Sequence, residues 1–188
     1  MRPDIDFERT DISVRYMRDA ELPNGNLFHR VAEVFVPNAR SIPPQTPTGE
    51  EAISQPGRII GWWVPVDDTH TIGFHIEALP LEGGKAEDSV WANAPEGMSN
   101  RNVPPPRSYE DTQRRPGDRE AQVSQRPIAV HALEHLATSD RGIAMFRRHL
   151  KEAVEAVARG EDPPGIVRDA DDDVLPVGTR NEVRVPAE

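Results

Sequence analysis

The chain has 188 residues, a formal net charge of −10, 36% hydrophobic residues and no cysteine. That length fits one domain, with or without a tail. The acidic balance, with no block of Lys and Arg beside aromatics, excludes nucleic acid as a partner. Without cysteine, disulfides and cysteine-held iron–sulfur clusters are impossible within these residues. Nineteen prolines are about twice the usual share and imply long loops or unstructured ends. The opening "MRPDIDFERTDISV" has no apolar signal core, and no apolar run approaches about 18 residues, so the chain reads as cytoplasmic, with no membrane span.

In chain order, "DIDFERT" and "DISVRYMRD" alternate as two short strands with a break near Thr10-Asp11, and Asn24-Gly25 marks a turn. "LFHRVAEVFVPN" is a strand rather than a helix, because β-branched residues are dense and Pro37 follows. "SIPPQTPTGEEAISQPG" is a proline-rich loop. The strongest hairpin pairs "RIIGWWVPV" with "HTIGFHIEAL" across "DDT". One face offers Ile60, Trp62 and Val64 with Ile72, Phe74 and Ile76; the other offers Ile59, Trp63 and His75. A strand apolar on both sides is covered on both sides. Residues 80–117 lack periodicity and read as a lid, an interface loop or a disordered segment.

The final third holds one strong helix. Ser139 or Thr138 is its N-cap, and Ile143, Phe146, Leu150, Val154 and Val157 recur at helical spacing until Gly160 and Pro163-Pro164. Residues 1–165 form the domain, and 166–188 an acidic tail or docking arm. Strands, then a long loop, then a long helix give an α+β plan, an antiparallel sheet packed on one helix.

Three short patterns bear on chemistry. His131-x-x-Glu134-His135 matches the inverted zinc-protease motif, but a third ligand must lie downstream, and Glu152 and Glu155 belong to the packing helix. It reads as an ordinary histidine pair. "VDDTHT" could hold a metal or serve as acid and base; at a hairpin tip its acids and threonines are turn formers. Trp62-Trp63 points one ring to each face, and core packing accounts for at least one of them.

Four segments in order, "RPDIDFERTDISVRY", "VPVDDTHT", "PIAVHALEHLATSDRGI" and "VARGEDPPG", resemble the C-terminal half of the catalytic domain of Rieske-type non-haem iron oxygenases. The branch is that of phthalate oxygenases and aryl-ether O-demethylases, and the match runs from about Arg2 to Gly165. The resemblance implies a helix-grip (START/Bet v 1-like) fold, here a partial domain. It also implies an Fe(II) held by two histidines and an aspartate, with open positions for O₂, and a [2Fe-2S] Rieske cluster held by two Cys and two His. Counting back from Pro127, the iron aspartate falls on Asp118, with Glu120 as the slipped register. His131 and His135 then lie after the iron carboxylate and are not on the iron. Trp63 and His75 would line the substrate pocket.

The departures are large. No cysteine exists, and the family's Asp-x-x-His-x-x-x-x-His pair is absent. The expectation is a split enzyme. A Rieske-domain polypeptide would supply the cluster and both histidines, Fe(II) would be shared between the chains, and a reductase would deliver electrons. An aromatic or heterocyclic small molecule would be hydroxylated or oxidatively demethylated. A hetero-oligomer follows, trimeric by analogy. The alternatives are a fragment or remnant of such an enzyme, or a non-enzymatic helix-grip ligand-binding or structural subunit.

Overall fold

A computed structural model describes residues 4–43, 55–56, 59–78, 81–82, 85–86, 107–166, 168 and 177–185. The chain divides into two compact units, one of residues 1–66, 71–78 and 135–188, the other of residues 67–70 and 79–134.

The first unit is an antiparallel sheet carrying a long helix. Its strands are β1 (Asp4–Arg9), β2 (Ser13–Glu21), β3 (Leu27–Phe35), β4 (Ala39–Ile42), the two-residue β5 (Gln55–Pro56), β6 (Ile59–Pro65) and β7 (Thr71–Glu77). The order is β1-β2-β3-β4-β6-β7. Between β2 and β3 the chain reverses at the predicted turn, where Gly25 has φ 82°, a left-handed conformation that costs glycine little.

The long β3 shares its second edge. Glu33 to Phe35 pair with β4, while Leu27 to Val31 pair with the strand Arg180–Arg184 near the C-terminus. That strand also pairs β5. Four-residue β4 cannot cover nine-residue β3, and the later segment takes the vacant hydrogen bonds.

The long helix follows a 3₁₀ turn, Thr138–Asp140, and spans Arg141–Ala158. The cap is Asp140, one or two residues later than predicted. The Asp140 carboxylate, rather than the Ser139 or Thr138 hydroxyl, accepts the Ala137 N–H at 2.8 Å. At the far end Gly160 turns left-handed, φ 77°, and the Glu161 N–H reaches the Ala156 carbonyl at 3.0 Å, closing the helix.

The predicted packing face is wrong by about a quarter-turn. Gly142, His149, Ala153 and Ala156 are the buried residues, whereas Ile143, Val154 and Val157 are 45%, 61% and 58% exposed. Small residues let the helix sit close on β1 and β2; a Cβ on Gly142 would lie 2.3 Å from the Phe7 ring. The apolar stripe that carries the periodicity is a flank of the helix. Arg9–Glu152 and Arg141–Asp6 ion pairs tie helix to β1, though exposed pairs add little stability.

The core is lean and partly polar. Val14, Phe28 and Val31 are buried with Ser13, Glu33, Ser41 and Asn181. A carboxylate inside must be fully bonded, and Glu33 is. Its oxygens accept from Ser13 Oγ at 2.6 Å, Arg15 Nε at 3.2 Å and the Gly178 N–H at 2.8 Å. The last bond secures the segment leading into the C-terminal strand. Among the described residues no helix is long and apolar enough to cross a membrane.

The second unit contains a two-residue strand pair, Leu81–Glu82 with Lys85–Ala86, and two short helices, Tyr109–Arg114 and Asp118–Val123. These helices fall at the end of, and just after, the segment expected to be aperiodic; residues 87–106 of that segment lie outside the described residues. Ser108 Oγ caps the first helix by accepting from the Asp111 N–H at 3.1 Å. Arg107 donates to the Asp111 and Arg115 carbonyls at its other end.

Candidate functional site

The hairpin β6–β7 has the predicted register. Ile60, Trp62 and Val64 oppose Ile76, Phe74 and Ile72, while Gly61 opposes His75 and Trp63 opposes Gly73. Directly opposed residues in an antiparallel pair share a face. Following them strand by strand gives one transverse row, Arg9, Val14, Val34, Arg40, Gly61 and His75. Arg9 bonds Glu152 of the long helix, so the row begins beneath that helix and ends at the far edge of the same face. With strands about 4.8 Å apart, Val14 to His75 spans roughly 19 Å.

Beyond the helix this face carries an aromatic cluster. Trp63 and His75 meet edge to face, ring centroids 5.9 Å apart at 85°. The Arg40 guanidinium lies over the Trp63 ring, 3.7 Å from its centroid. Gly61 and Gly73 leave the floor bare. A Cβ on Gly61 would stand 2.8 Å from His75 Nδ1, so the imidazole folds down over the strand only because no side chain is there. The Trp63 backbone is fixed on both sides: its N–H donates to the Asn38 carbonyl at 3.0 Å, and its carbonyl accepts from Asn38 Nδ2 at 2.8 Å.

The helix supplies a wall. At about 100° per residue, Arg141, Ala144, Met145 and Arg148 fall on the flank that, with Arg9, encloses a pocket of about 340 Å³ on the β1 side. Ile143, Leu150, Val154 and Val157 fall on the opposite flank, where Ile143, Val154 and Val157 are exposed. The sheet face beyond the helix thus carries one cation and two rings in contact, and the pocket the helix encloses lies apart from them, at Arg9 and Arg141. The structure therefore brings Trp63 and His75 together on the helix-bearing face. Arg40 was not foreseen; its place depends on β4 pairing β6, which no local pattern announces. On the other face, Ile72, Phe74 and Ile76 are exposed, so the expectation of cover on both sides does not hold among the described residues.

Asp118 opens the helix Asp118–Val123 in the second unit. Glu120, the alternative register, is committed elsewhere: it accepts the Gly117 N–H at 2.7 Å and pairs with Arg107 at 3.6 Å, which joins this helix to the preceding one. Among the described residues no group of three or more His, Cys, Asp or Glu could hold a metal. A facial triad needs two imidazoles beside one carboxylate, so these residues do not by themselves fit an iron site.

The zinc-protease reading fails on geometry. His131–Leu133 is a 3₁₀ turn and Glu134 is extended, φ −80° and ψ 143°, so no α-helix presents the two histidines on one face. Asp67 is a turn residue: its Oδ1 accepts from the Thr69 N–H at 2.8 Å and the His70 N–H at 2.9 Å. The Thr69 amide first, and the His70 imidazole Nδ1 at 2.9 Å next, hold its carboxyl below the usual aspartate range.

No family model matches the chain. It is 36% identical over 164 residues to the phenoxybenzoate dioxygenase subunit alpha of Ectopseudomonas oleovorans, covering 87% of this chain and 37% of that protein. It is 34% identical over 173 residues to the tert-butanol monooxygenase / tert-amyl alcohol desaturase oxygenase subunit of Aquincola tertiaricarbonis, covering 88% and 35%. A shorter match, 43% over 49 residues, is to the 5,5'-dehydrodivanillate O-demethylase oxygenase subunit of a Sphingobium strain, covering 26% and 12%. The chain thus spans little more than a third of the curated relatives it matches along most of its own length. By homology the chain belongs with the oxygenase subunits of the Rieske-type oxygenases, as the counterpart of part of such a subunit.

Proposed function

We propose that this chain is part of the catalytic domain of a cytoplasmic Rieske-type oxygenase that hydroxylates or oxidatively demethylates an aromatic or heterocyclic small molecule with O₂ and reductase-supplied electrons. The observation that carries the reading is homology to named oxygenase subunits over 87% of the chain, joined to the Trp63–His75 aromatic cluster on the helix-bearing face of the sheet. Residues 1–165 form the catalytic part and 166–188 the docking arm; the antiparallel pairing of Arg180–Arg184 with β3 supports the arm. The substrate lies against Trp63 and His75.

Asp118 provides the carboxylate of an Fe(II) shared with a partner polypeptide, and the capping and ion pair of Glu120 favour Asp118 over it. The partner brings both iron histidines and the [2Fe-2S] Rieske cluster, since these 188 residues contain no cysteine. When bound, the iron supplies O₂ activation. The assembly is a hetero-oligomer, trimeric by analogy with the family.

The test is to purify the chain from its native source with its associated polypeptides, and to measure iron content, the Rieske spectroscopic signal and turnover. Asp118→Ala should lose the mononuclear iron while keeping the Rieske signal, and turnover should fall by more than the roughly 100-fold that outer-shell losses cost. Full iron retention in Asp118→Ala refutes the ligand assignment. Purification with neither iron nor a Rieske partner refutes the oxygenase reading in favour of a ligand-binding or structural helix-grip module.

A further inference from the structure

The sheet face turned away from the long helix is covered at one end and left open, among the described residues, at the other. Opposed residues place Ser13, Phe35, Ala39, Trp62 and Phe74 in one transverse row of this face. Ser13 is fully buried, bonded to the Glu33 carboxylate that also holds the Gly178 N–H. Phe35, Ala39 and Trp62 are half-buried, and Phe74 is 54% exposed. Cover is lost strand by strand toward β7.

Phe74 does not stand alone there. Val64 opposes Ile72, Trp62 opposes Phe74 and Ile60 opposes Ile76, so these side chains form one block, with Ile72 and Ile76 at 51% and 64% exposure. A contiguous apolar block on a sheet face marks an interaction surface, whereas single exposed apolar residues do not. The edge is open too. β7 is the last strand of the order, and its register with β6 runs without a bulge. Its sequence "TIGFHIE" contains no Lys or Pro, so the usual devices that keep an edge strand from pairing are missing.

The relatives point to what covers this surface. The matched stretch makes up only 37% and 35% of them, so the larger part of each subunit lies outside it. Parts of one subunit pack through their apolar faces, and a separate polypeptide that stands in for the unmatched part has to recover that contact. The block spans roughly 14 Å along the strands and 10 Å across them, less than the ~800 Å² per side of a stable interface. The partner must therefore engage the β7 edge as well, by adding a strand.

We propose that the open face and edge of β6–β7 are the docking surface for the polypeptide that carries the two iron histidines and the Rieske cluster. Its contact has an apolar centre over Trp62, Ile72, Phe74 and Ile76. Its rim is basic, to complement a chain of net charge −10. The proposal rests on the reading above that such a partner exists, and adds where it binds.

The experiment uses the assembly isolated from its native source, with the partner identified by its Rieske spectroscopic signal. Hydrogen exchange at Thr71–Glu77 should be slower in the assembly than in the chain alone. Phe74→Lys should weaken partner affinity, read by biolayer interferometry, at least about 30-fold, as expected of an interface hot spot. Because Phe74 is exposed, the variant chain alone should melt within about 2 °C of the parent; Ile76→Lys serves in its place should that variant not fold. Val157→Lys, on the long helix, should leave affinity unchanged. Full affinity in Phe74→Lys and Ile76→Lys overturns the docking surface and leaves the oxygenase reading standing. Exchange already slow in the chain alone does the same, since its own residues or a second copy would then be the cover. Isolation without a Rieske partner overturns both.

Discussion

Gly142→Ala sets two effects of opposite sign against each other. In an exposed helix alanine is better than glycine by up to about 1 kcal/mol, and on propensity alone the substitution stabilises. The structure predicts the reverse. The added carbon would stand 2.3 Å from Phe7 Cδ1 and Cε1 and 3.1 Å from Cγ, whereas carbon atoms rest about 3.5–4.0 Å apart. The ring or the helix must retreat by more than 1 Å. Phe7 has limited freedom, with the Tyr16 ring 5.7 Å away and the Arg141 guanidinium 5.9 Å away. Overpacking of this kind costs about 1–3 kcal/mol, so the net loss is up to about 2 kcal/mol after the propensity gain. For a chain of this size that lowers the melting temperature by up to roughly 8 °C. Thermal unfolding followed by far-ultraviolet circular dichroism reads it, and Phe7→Leu in the same chain should recover at least about 0.5 kcal/mol through coupling. A rise in melting temperature for Gly142→Ala, or strict additivity with Phe7→Leu, refutes the close helix–strand contact.

Two further substitutions test the polar core. Glu33→Gln keeps the volume but loses the charge facing Arg15, and one of the bonds from Ser13 Oγ and the Gly178 N–H meets an amide donor instead of an acceptor. A loss of about 1–3 kcal/mol should appear as faster hydrogen exchange at Arg180–Arg184 than at β1 and β2; uniform exchange would show that Glu33 does not hold the C-terminal strand. His149 is fully buried. Its Nε2–H donates to the Asp11 carbonyl at 3.0 Å, and its Nδ1 has no hydrogen-bond partner. Burial first, and the Arg9 charge next, push its pKa below the ordinary value. The folded chain therefore keeps a neutral imidazole where the unfolded chain takes up a proton, near pH 6.5. The stability this gives is complete above that pH and declines below it by up to about 1.4 kcal/mol per pH unit. His149→Leu should flatten urea-melt stability between about pH 6.5 and 5, above the range where carboxylates titrate. An unchanged slope would mean that His149 is protonated in the fold.

What the sequence made legible follows from how local each signal is. The β6–β7 hairpin was readable because both arms alternate and the turn acids lie between them, so register follows from the turn. The turn at Asn24-Gly25 is equally local. Strand β4 was not readable: four residues between Asn38 and Pro43 carry no period, and pairing with β3 and β6 defines them. The two short helices escaped for a related reason. Tyr109–Arg114 buries nothing, and a six-residue helix without an apolar face depends on its caps and on Arg107. The long helix was legible as a helix and misread as a surface. Periodicity reports where large apolar residues lie, while close packing on a sheet selects small ones, here Gly142, Ala153 and Ala156.

The same distinction governs the site. Trp63 and His75 could be assigned to one face by counting alternate residues along a hairpin. Arg40 could not, because its position beside them passes through the β4–β6 pairing, across a stretch with no pattern to count. Arg40 also appears ordinary in the sequence, one arginine within a polar run. Its place is defined by what surrounds it: bare Gly61 opposite and an indole beneath, with no carboxylate paired to it among the described residues. An iron carboxylate is harder still to read from these residues, because a single acid acquires a metal only where imidazoles converge on it. In the proposed reading those imidazoles come from another polypeptide, so the chain would supply a substrate face from its own residues, and the assembly would supply the metal.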